Sequence, residues 1–211
     1  MTYIENIFFC LAAPVLVAVF CTEGPRRRSL LFLLAGMTTC LLSSYINSFC
    51  AAALEAGALA AAVEIAPVIE EIMKLMPVFF FLLVYEPDDR KIVGEALMVA
   101  VGFATLENTC FLIINGANST FRLLIRGFST GAMHVACGAI TAIGVSCAWD
   151  RRSLRVVSAL GALCLAITWH GIYNVLVDQT GAAAWVGYAL PVLTGMVVVP
   201  LRRRFFATDS E

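Results

Sequence analysis

Seven apolar runs, each long enough to cross a bilayer, restrict this chain to one class of fold. They cover residues 3–22, 29–50, 63–85, 92–114, 124–148, 156–177 and 182–200. A helix of about 20 apolar residues spans a hydrocarbon core of about 30 Å. Because no water is present there to bond the backbone, each run must satisfy its own hydrogen bonds, as an α-helix does. We therefore predict an all-α polytopic membrane protein with about seven transmembrane helices.

The segments between the runs are too short to form a second domain, so residues 1–211 are predicted to be a single transmembrane unit. Only 14% of the residues are charged, against about a quarter in soluble domains, which excludes a soluble fold. One apolar stretch, residues 51–62, is ambiguous. It fits a surface helix, a re-entrant segment or the beginning of a long third helix.

The positive charges predict the orientation, since cytoplasmic loops collect Lys and Arg. With the N-terminus outside and the C-terminus in the cytoplasm, eleven of the fourteen Lys and Arg residues lie inside. Only Arg122 and Arg126 lie outside, and Lys74 lies within a span. The first apolar run has no basic residue before it, which favours a retained span over a cleaved signal. The terminal Arg202–Arg204 are typical of a cytoplasmic anchor, and nothing indicates nucleic-acid binding.

A few ionisable residues interrupt the apolar runs, where each costs at least about 2.5–3.5 kcal/mol and usually marks a functional site. They are Glu64, Glu70, Glu71 and Lys74 in the third run, Glu95 and Glu107 in the fourth, His134 in the fifth and His170 in the sixth. The chain has no other histidine.

Four of these residues are predicted to lie at one depth. Glu71, Glu107, His134 and His170 are each about eight residues from the outer end of their span, which places them roughly 12 Å below the outer surface at about 1.5 Å per residue. Two of the helices run inward and two outward, so a shared depth indicates one shared site.

Carboxylates and imidazoles in a cavity that excludes bulk water can activate water. One glutamate can act as a general base, while the histidines can bind a metal or donate to an oxyanion. Lys74 follows Glu70 and Glu71 by four and three residues, so it can bond either carboxylate. Two alternatives remain from the residues alone: a structural polar network, and a path for protons or ions.

The motifs Glu70-Glu71-x-x-Lys74, Phe103-x-x-x-Glu107-Asn108, His134-x-x-x-Gly138 and His170-x-x-x-Asn174 resemble, in order, those of the PrsW family of intramembrane proteases. That family is related to the CAAX prenyl-protein endopeptidases and bacteriocin-immunity proteins. The resemblance covers about residues 65–178, within a predicted motif-bearing core of about residues 63–178. Asn174 departs from the aspartate frequent in PrsW-type sequences but matches the CAAX-type relatives.

The resemblance implies an intramembrane endopeptidase. Glu70 or Glu71 would be the water-activating base, with the choice between them open, and Lys74 would set its charge state. Glu107, His134 and His170 would be ligands of a metal such as Zn²⁺ or oxyanion donors, with a metal-free glutamate mechanism as the alternative. Asn174 would orient His170 or the substrate.

The resemblance also implies a partner and a location. The substrate would be a single-span membrane-anchored protein, such as an anti-sigma factor, cleaved near the extracytoplasmic face of a bacterial inner membrane. Arg122 and Arg126 at the outer mouth favour contact with lipid headgroups over an acidic substrate segment. The rival functions are a proton- or ion-coupled transporter and a non-catalytic scaffold or immunity protein. A transporter is expected to have inverted repeats, and the sequence has none.

Overall fold

The seven predicted spans are seven helices in the structure, which is a computed structural model. It describes residues 3–85, 87–116, 119–147, 149, 151 and 153–207. For residues 89, 90, 122 and 197–207 it describes the backbone alone. The helices are α1 (Ile4–Cys21), α2 (Gly24–Ala53), α3 (Ala66–Tyr85), α4 (Asp89–Asn115), α5 (Thr120–Cys147), α6 (Arg155–Asp178) and α7 (Ala182–Ala207). Each matches one predicted run within five residues at either end, except that α7 continues seven residues beyond residue 200.

Within the described residues, five helices are long and apolar enough to cross a membrane: α1, α2, α4, α5 and α6. Helix α3 has 20 residues but carries the charged residues Glu70, Glu71 and Lys74. The apolar segment of α7, Ala182–Met196, is shorter than the 18 residues that the five helices reach. These findings confirm an all-α, multi-pass membrane protein. The orientation stays a prediction, and Arg152 and the side chains of Arg90, Arg122 and Arg202–Arg204 lie outside the described residues.

The ambiguous alanine-rich stretch is divided between two helices. Residues 51–53 end α2, and a turn follows in which Glu55 has a φ of 52°. The chain becomes helical again at Ala58–Ala60 and continues through a π-helical turn, Ala61–Ile65, directly into α3. The second half of the stretch is therefore the beginning of a long third helix, one of the three possibilities that the sequence left open.

Helices α2 and α4 cross very closely, and glycines make the crossing possible. Gly36 of α2 lies against the backbone of Val99, and Gly102 of α4 lies against the backbone of Leu33. A Cβ atom at either glycine would overlap a carbonyl oxygen. Small residues allow this approach between membrane helices, where van der Waals packing holds the bundle together. The crossing brings α2, which has no Asp, Glu, Lys, Arg or His in its membrane-depth part, against the helices that carry the polar cluster.

Candidate active site

The ionisable side chains of α3, α4, α5 and α6 meet inside the bundle. Glu71 of α3 accepts a hydrogen bond from Lys74 Nζ, one turn later, at 2.5 Å. The same oxygen, Oε1, lies 2.8 Å from His170 Nδ1 on α6. Glu71, Lys74 and His170 are all buried, with Glu71 only 2% exposed. One carboxylate therefore holds a lysine and a histidine together in the interior.

Lys74 connects this group to α5 and α4. Its Nζ lies 3.0 Å from Nδ1 of His134, and it lies 5.0 Å from the centre of the Phe103 ring. Because an ammonium group can only donate, Nδ1 of His134 accepts and Nε2 carries the hydrogen. Nε2 of His134 bonds Oε2 of Glu107. The polar chain thus continues from α3 through α5 to α4.

Glu70 occupies a different environment from its neighbour Glu71. Its Oε1 accepts a hydrogen bond from Asn47 Nδ2 of α2 at 3.2 Å, and its Oε2 lies 3.9 Å from His170 Nε2. The Glu70 side chain is 13% exposed and faces a cavity of about 380 Å³. Glu71 does not line that cavity. Adjacent helical residues point about 100° apart, so one carboxylate faces the cavity while the other is enclosed by protein.

The cavity opens among α3, α4, α5 and α6. Besides Glu70, its lining includes the polar residues Glu107, Arg126, Thr130, His170, Tyr173, Asn174, Asp178 and Tyr188, with apolar walls from Leu59, Ala62, Val63, Ala66, Phe111 and Val177. The cavity therefore reaches the carboxylate of Glu70 and the ring of His170. Concave sites with a few convergent polar groups are the usual location of catalysis.

Comparison with protein families decides among the functions expected of the chain. Residues 24–201 match the PrsW family intramembrane metalloprotease. The chain belongs to this family. No match was found among the curated proteins or the solved structures.

Membership in the PrsW family makes this chain an intramembrane protease in a lipid environment, acting on a membrane protein. The matched region begins at α2 and reaches into α7, well beyond the predicted motif-bearing residues 63–178. The match favours a protease over the transporter and the scaffold as the function of the chain.

A donor set suited to a metal lies at the cavity of this PrsW protease. Glu70, His134 and His170 each contribute one ligand atom, and these atoms lie within 4.8 Å of one another. Two imidazoles and one carboxylate form one of the usual ligand sets of catalytic zinc. His170 also has the expected outer support, because its second nitrogen bonds the carboxylate of Glu71. These residues fit a zinc ion, although binding at Nε2 of His134 would displace the proton donated to Glu107.

The predicted ligand set of Glu107, His134 and His170 differs from this group by one glutamate. Glu107 bonds His134, and its Oε1 lies 3.4 Å from Arg126 Nη2. In this geometry Glu107 contacts the ligand His134 but does not itself belong to the group of three donors. Its role as a ligand stays a prediction.

Two further site residues make contacts that the sequence did not predict. Glu71 bonds His170, and Asn174 Nδ2 donates to the carbonyl of Ala62 at 2.9 Å. The role of Asn174 in orienting His170 or the substrate stays a prediction. Arg126 does not extend toward lipid headgroups. Its Nη1 bonds Asn108 at 2.5 Å, and its guanidinium lies 3.5 Å from the centre of the Phe111 ring. Both groups turn inward because carbonyl and carboxylate acceptors lie within reach there.

A proline explains why the carbonyl of Ala62 is free for Asn174. In the π-helical turn, the N–H of Ala66 bonds the carbonyl of Ala61. The next bond in that register would join Pro67 to Ala62, and proline has no N–H to donate. The side chain of Asn174 therefore satisfies this carbonyl and ties α6 to the segment that leads into Glu70. π-Helical turns of this kind are frequent at functional sites.

Two other charged residues of the apolar runs lie apart from the site. Glu64 is exposed. Glu95 is buried and pairs with Arg28 of α2, with 2.7 Å between Oε1 and Nε.

Sequence reasoning missed Asn47, the partner of Glu70. An amide at membrane depth is less costly than a charge, so a search for ionisable residues passes over it. The signal that could have found Asn47 is its position as an uncharged polar residue within the second apolar run, near the end predicted to lie outside.

Proposed function

We propose that this PrsW family protease hydrolyses a peptide bond of a single-span membrane protein near the extracytoplasmic face, with Glu70 as the general base. The observation that carries the proposal is the division between the two adjacent glutamates. Glu70 faces the cavity with the donor atoms of His134 and His170 within 4.8 Å, whereas Glu71 is enclosed and bonded to Lys74 and His170.

In this proposal the other residues position the reacting groups. Glu71 accepts the hydrogen of His170 Nδ1, so Nε2 presents its lone pair toward Glu70 and the cavity. Lys74 compensates the charge of Glu71 and fixes the tautomer of His134. Without a metal, Glu107 accepts the hydrogen of His134 Nε2, and Asn174 holds the backbone of the segment before Glu70.

The ligands proposed for Zn²⁺ are His134 and His170 together with one glutamate. That glutamate would be Glu70, which lies near both histidines, or Glu107, the ligand predicted from the sequence, when Glu70 acts as the base. A zinc ion held there would supply Lewis acidity toward water and toward the scissile carbonyl. Glu70 would take a proton from water as the water oxygen attacks the carbonyl carbon. It would then deliver that proton to the amine that leaves.

The substrate class follows from the membrane position of the cavity. Its acidic and imidazole groups are predicted to lie in the outer half of the bilayer, so a single-span protein would present its scissile bond just inside the extracytoplasmic surface. The family resemblance suggests a membrane-anchored anti-sigma factor in a bacterial inner membrane. This substrate, like the zinc ion, is part of the proposal.

The test compares Glu70→Gln with Glu71→Gln in reconstituted vesicles that contain a single-span substrate. A general base contributes typically about 10²- to 10⁴-fold, so Glu70→Gln is expected to lose cleavage by at least about a hundredfold while the protein stays as stable as wild type. Glu71→Gln leaves Lys74 buried without its anion, which costs about 3–5 kcal/mol, so it is expected to lower thermal stability as well.

Metal analysis of the same samples completes the test. Wild type is expected to contain zinc, and a chelator is expected to stop cleavage until zinc is restored. If Glu70→Gln cleaves at the wild-type rate, Glu70 is not the base. If Glu71→Gln instead loses all cleavage with unchanged stability, the roles of the two glutamates are reversed.

A further inference from the structure

A second cavity lies at the opposite end of the bundle from the catalytic residues. It has a volume of about 660 Å³ and shares no lining residue with the catalytic cavity. Its apolar walls come from Leu31, Phe32 and Ala35 of α2 and from Pro77, Phe80 and Phe81 of α3. Residues from the ends of helices form the mouth: Arg28, Tyr85, Pro87, Asp88 and Lys91.

The mouth lies where the helices leave the apolar part of the bundle. Helix α3 ends at Tyr85, and α4 begins at Asp89, so the cavity opens at the membrane–water boundary. The positive charges predict that this boundary is cytoplasmic. Tyrosine is frequent at such boundaries, because its ring is apolar and its hydroxyl is polar. The walls of the cavity therefore face hydrocarbon and its mouth faces headgroups.

Among the described residues, the charged groups at the mouth leave N–H donors available and pair the carboxylate of Asp88 with Lys91. Asp88 accepts from the backbone N–H of Lys91 at 3.0 Å and from its Nζ at 2.6 Å, one bond to each carboxylate oxygen. Lys91 therefore keeps two further N–H donors. Arg28 bonds Glu95 through Nε, and its two Nη groups have no partner in the part of the chain that the structure describes.

Arg28 is held in place at this mouth. The buried carboxylate of Glu95 fixes its Nε at 2.7 Å, and the Phe81 ring lies 5.7 Å from its guanidinium carbon. A fixed guanidinium that directs free N–H groups outward is the usual arrangement for binding a phosphate. The ligand that fits an apolar cavity below such donors has an acyl chain and an anionic oxygen-rich head.

We propose that this cavity binds one phospholipid molecule, with an acyl chain between α2 and α3 and its phosphate at Arg28 and Lys91. Basic pockets between membrane helices on the cytoplasmic side commonly bind lipid headgroups. The bound lipid would fill the space beside the cytoplasmic half of α3, the helix that carries Glu70 and Glu71 in its other half.

The experiment uses the full chain purified in a mild detergent and phosphatidylglycerol that carries a photoreactive diazirine in one acyl chain. After illumination, peptide mapping is expected to find the label on Leu31–Ala35 of α2 and Pro77–Tyr85 of α3. Unlabelled phosphatidylglycerol is expected to compete to saturation. Oleate, which has the chain without the phosphate, and inorganic phosphate, which has no chain, are expected to compete weakly.

Two variants with matched controls test the site. Ala35→Trp fills the cavity and is expected to abolish labelling, whereas Ala13→Trp, at an exposed position of α1, is expected to preserve it. Lys91→Gln removes a charge at the mouth and is expected to weaken binding roughly fivefold, the factor that corresponds to about 1 kcal/mol per basic residue. Arg27→Gln removes a charge from an exposed residue that does not line the cavity and is expected to have little effect.

Label spread evenly over the lipid-facing side of α1, or competition that does not saturate, would overturn the proposal. Equal competition by oleate would show that the phosphate is not recognised. If Ala35→Trp fails to fold, the competition on wild type and the comparison of Lys91→Gln with Arg27→Gln still decide the outcome.

Discussion

Replacement of Asn47 by alanine tests whether the residue that sequence reasoning missed contributes to catalysis. Asn47 Nδ2 donates to Oε1 of Glu70 at 3.2 Å, and Glu70 Oε2 points toward His170. We expect Asn47→Ala to leave the fold intact, because Asn47 is only partly buried and makes one side-chain hydrogen bond among the described residues. The carboxylate of Glu70 would then lose the contact that fixes its rotamer.

The size of the effect follows from that single bond. A hydrogen bond to a charged group contributes about 1.5–3 kcal/mol, and a length of 3.2 Å places this bond at the lower end. Each 1.4 kcal/mol corresponds to about a factor of ten, so kcat is expected to fall roughly tenfold. Asn47 does not line the cavity, so KM is expected to change little. Loss of outer support typically weakens metal binding by about 10- to 100-fold, so zinc affinity should fall as well.

The assay measures kcat, KM and zinc affinity of the reconstituted protease, together with its unfolding temperature. Asn6→Ala is the matched control, because Asn6 is an exposed asparagine on α1. A purely structural role would lower the unfolding temperature and leave kcat of the folded protein unchanged. Wild-type kcat and zinc affinity in Asn47→Ala would refute the reasoning.

Two further predictions concern helix packing and the mouth of the catalytic cavity. Gly102→Ala places a Cβ against the carbonyl of Leu33 and is expected to destabilise the protein by about 1–3 kcal/mol. The control, Gly94→Ala on the same helix, places its Cβ in open space and is expected to leave the stability unchanged. Equal unfolding temperatures of the two variants would contradict this prediction. Arg126→Gln removes the hydrogen bond to Glu107 and is expected to lower kcat roughly fivefold to tenfold, the effect of one hydrogen bond of about 1–1.5 kcal/mol. Arg151→Gln, at an exposed position, serves as the control in the same cleavage assay.

Part of the candidate site could be predicted because depth in a membrane helix follows directly from residue number. The shared level of Glu71, Glu107, His134 and His170 required only span ends and the rise of an α-helix. In the structure these residues belong to one connected polar chain. Their partners could not be predicted in the same way. The contact of Asn174 with Ala62 depends on a π-helical turn, which apolar periodicity does not reveal.

The direction in which Arg126 points also required the tertiary structure. Its sequence position, at the end of a span predicted to lie outside, suits contact with headgroups as well as contact with a neighbouring helix. The inward direction results from the acceptors of Asn108 and Glu107 on the neighbouring helix, together with the ring of Phe111. Such acceptors become visible only when α4 and α5 are placed side by side.

By itself, the amino-acid sequence determined the membrane class, the positions of the seven helices and the level of the polar residues, since bilayer thickness and helix rise constrain each run separately. Only the tertiary structure decided which of two adjacent glutamates faces the cavity and that an asparagine of α2 holds it. Those features depend on the rotation of each helix and on the α2–α4 crossing at Gly36 and Gly102, which result from packing between segments distant in the chain.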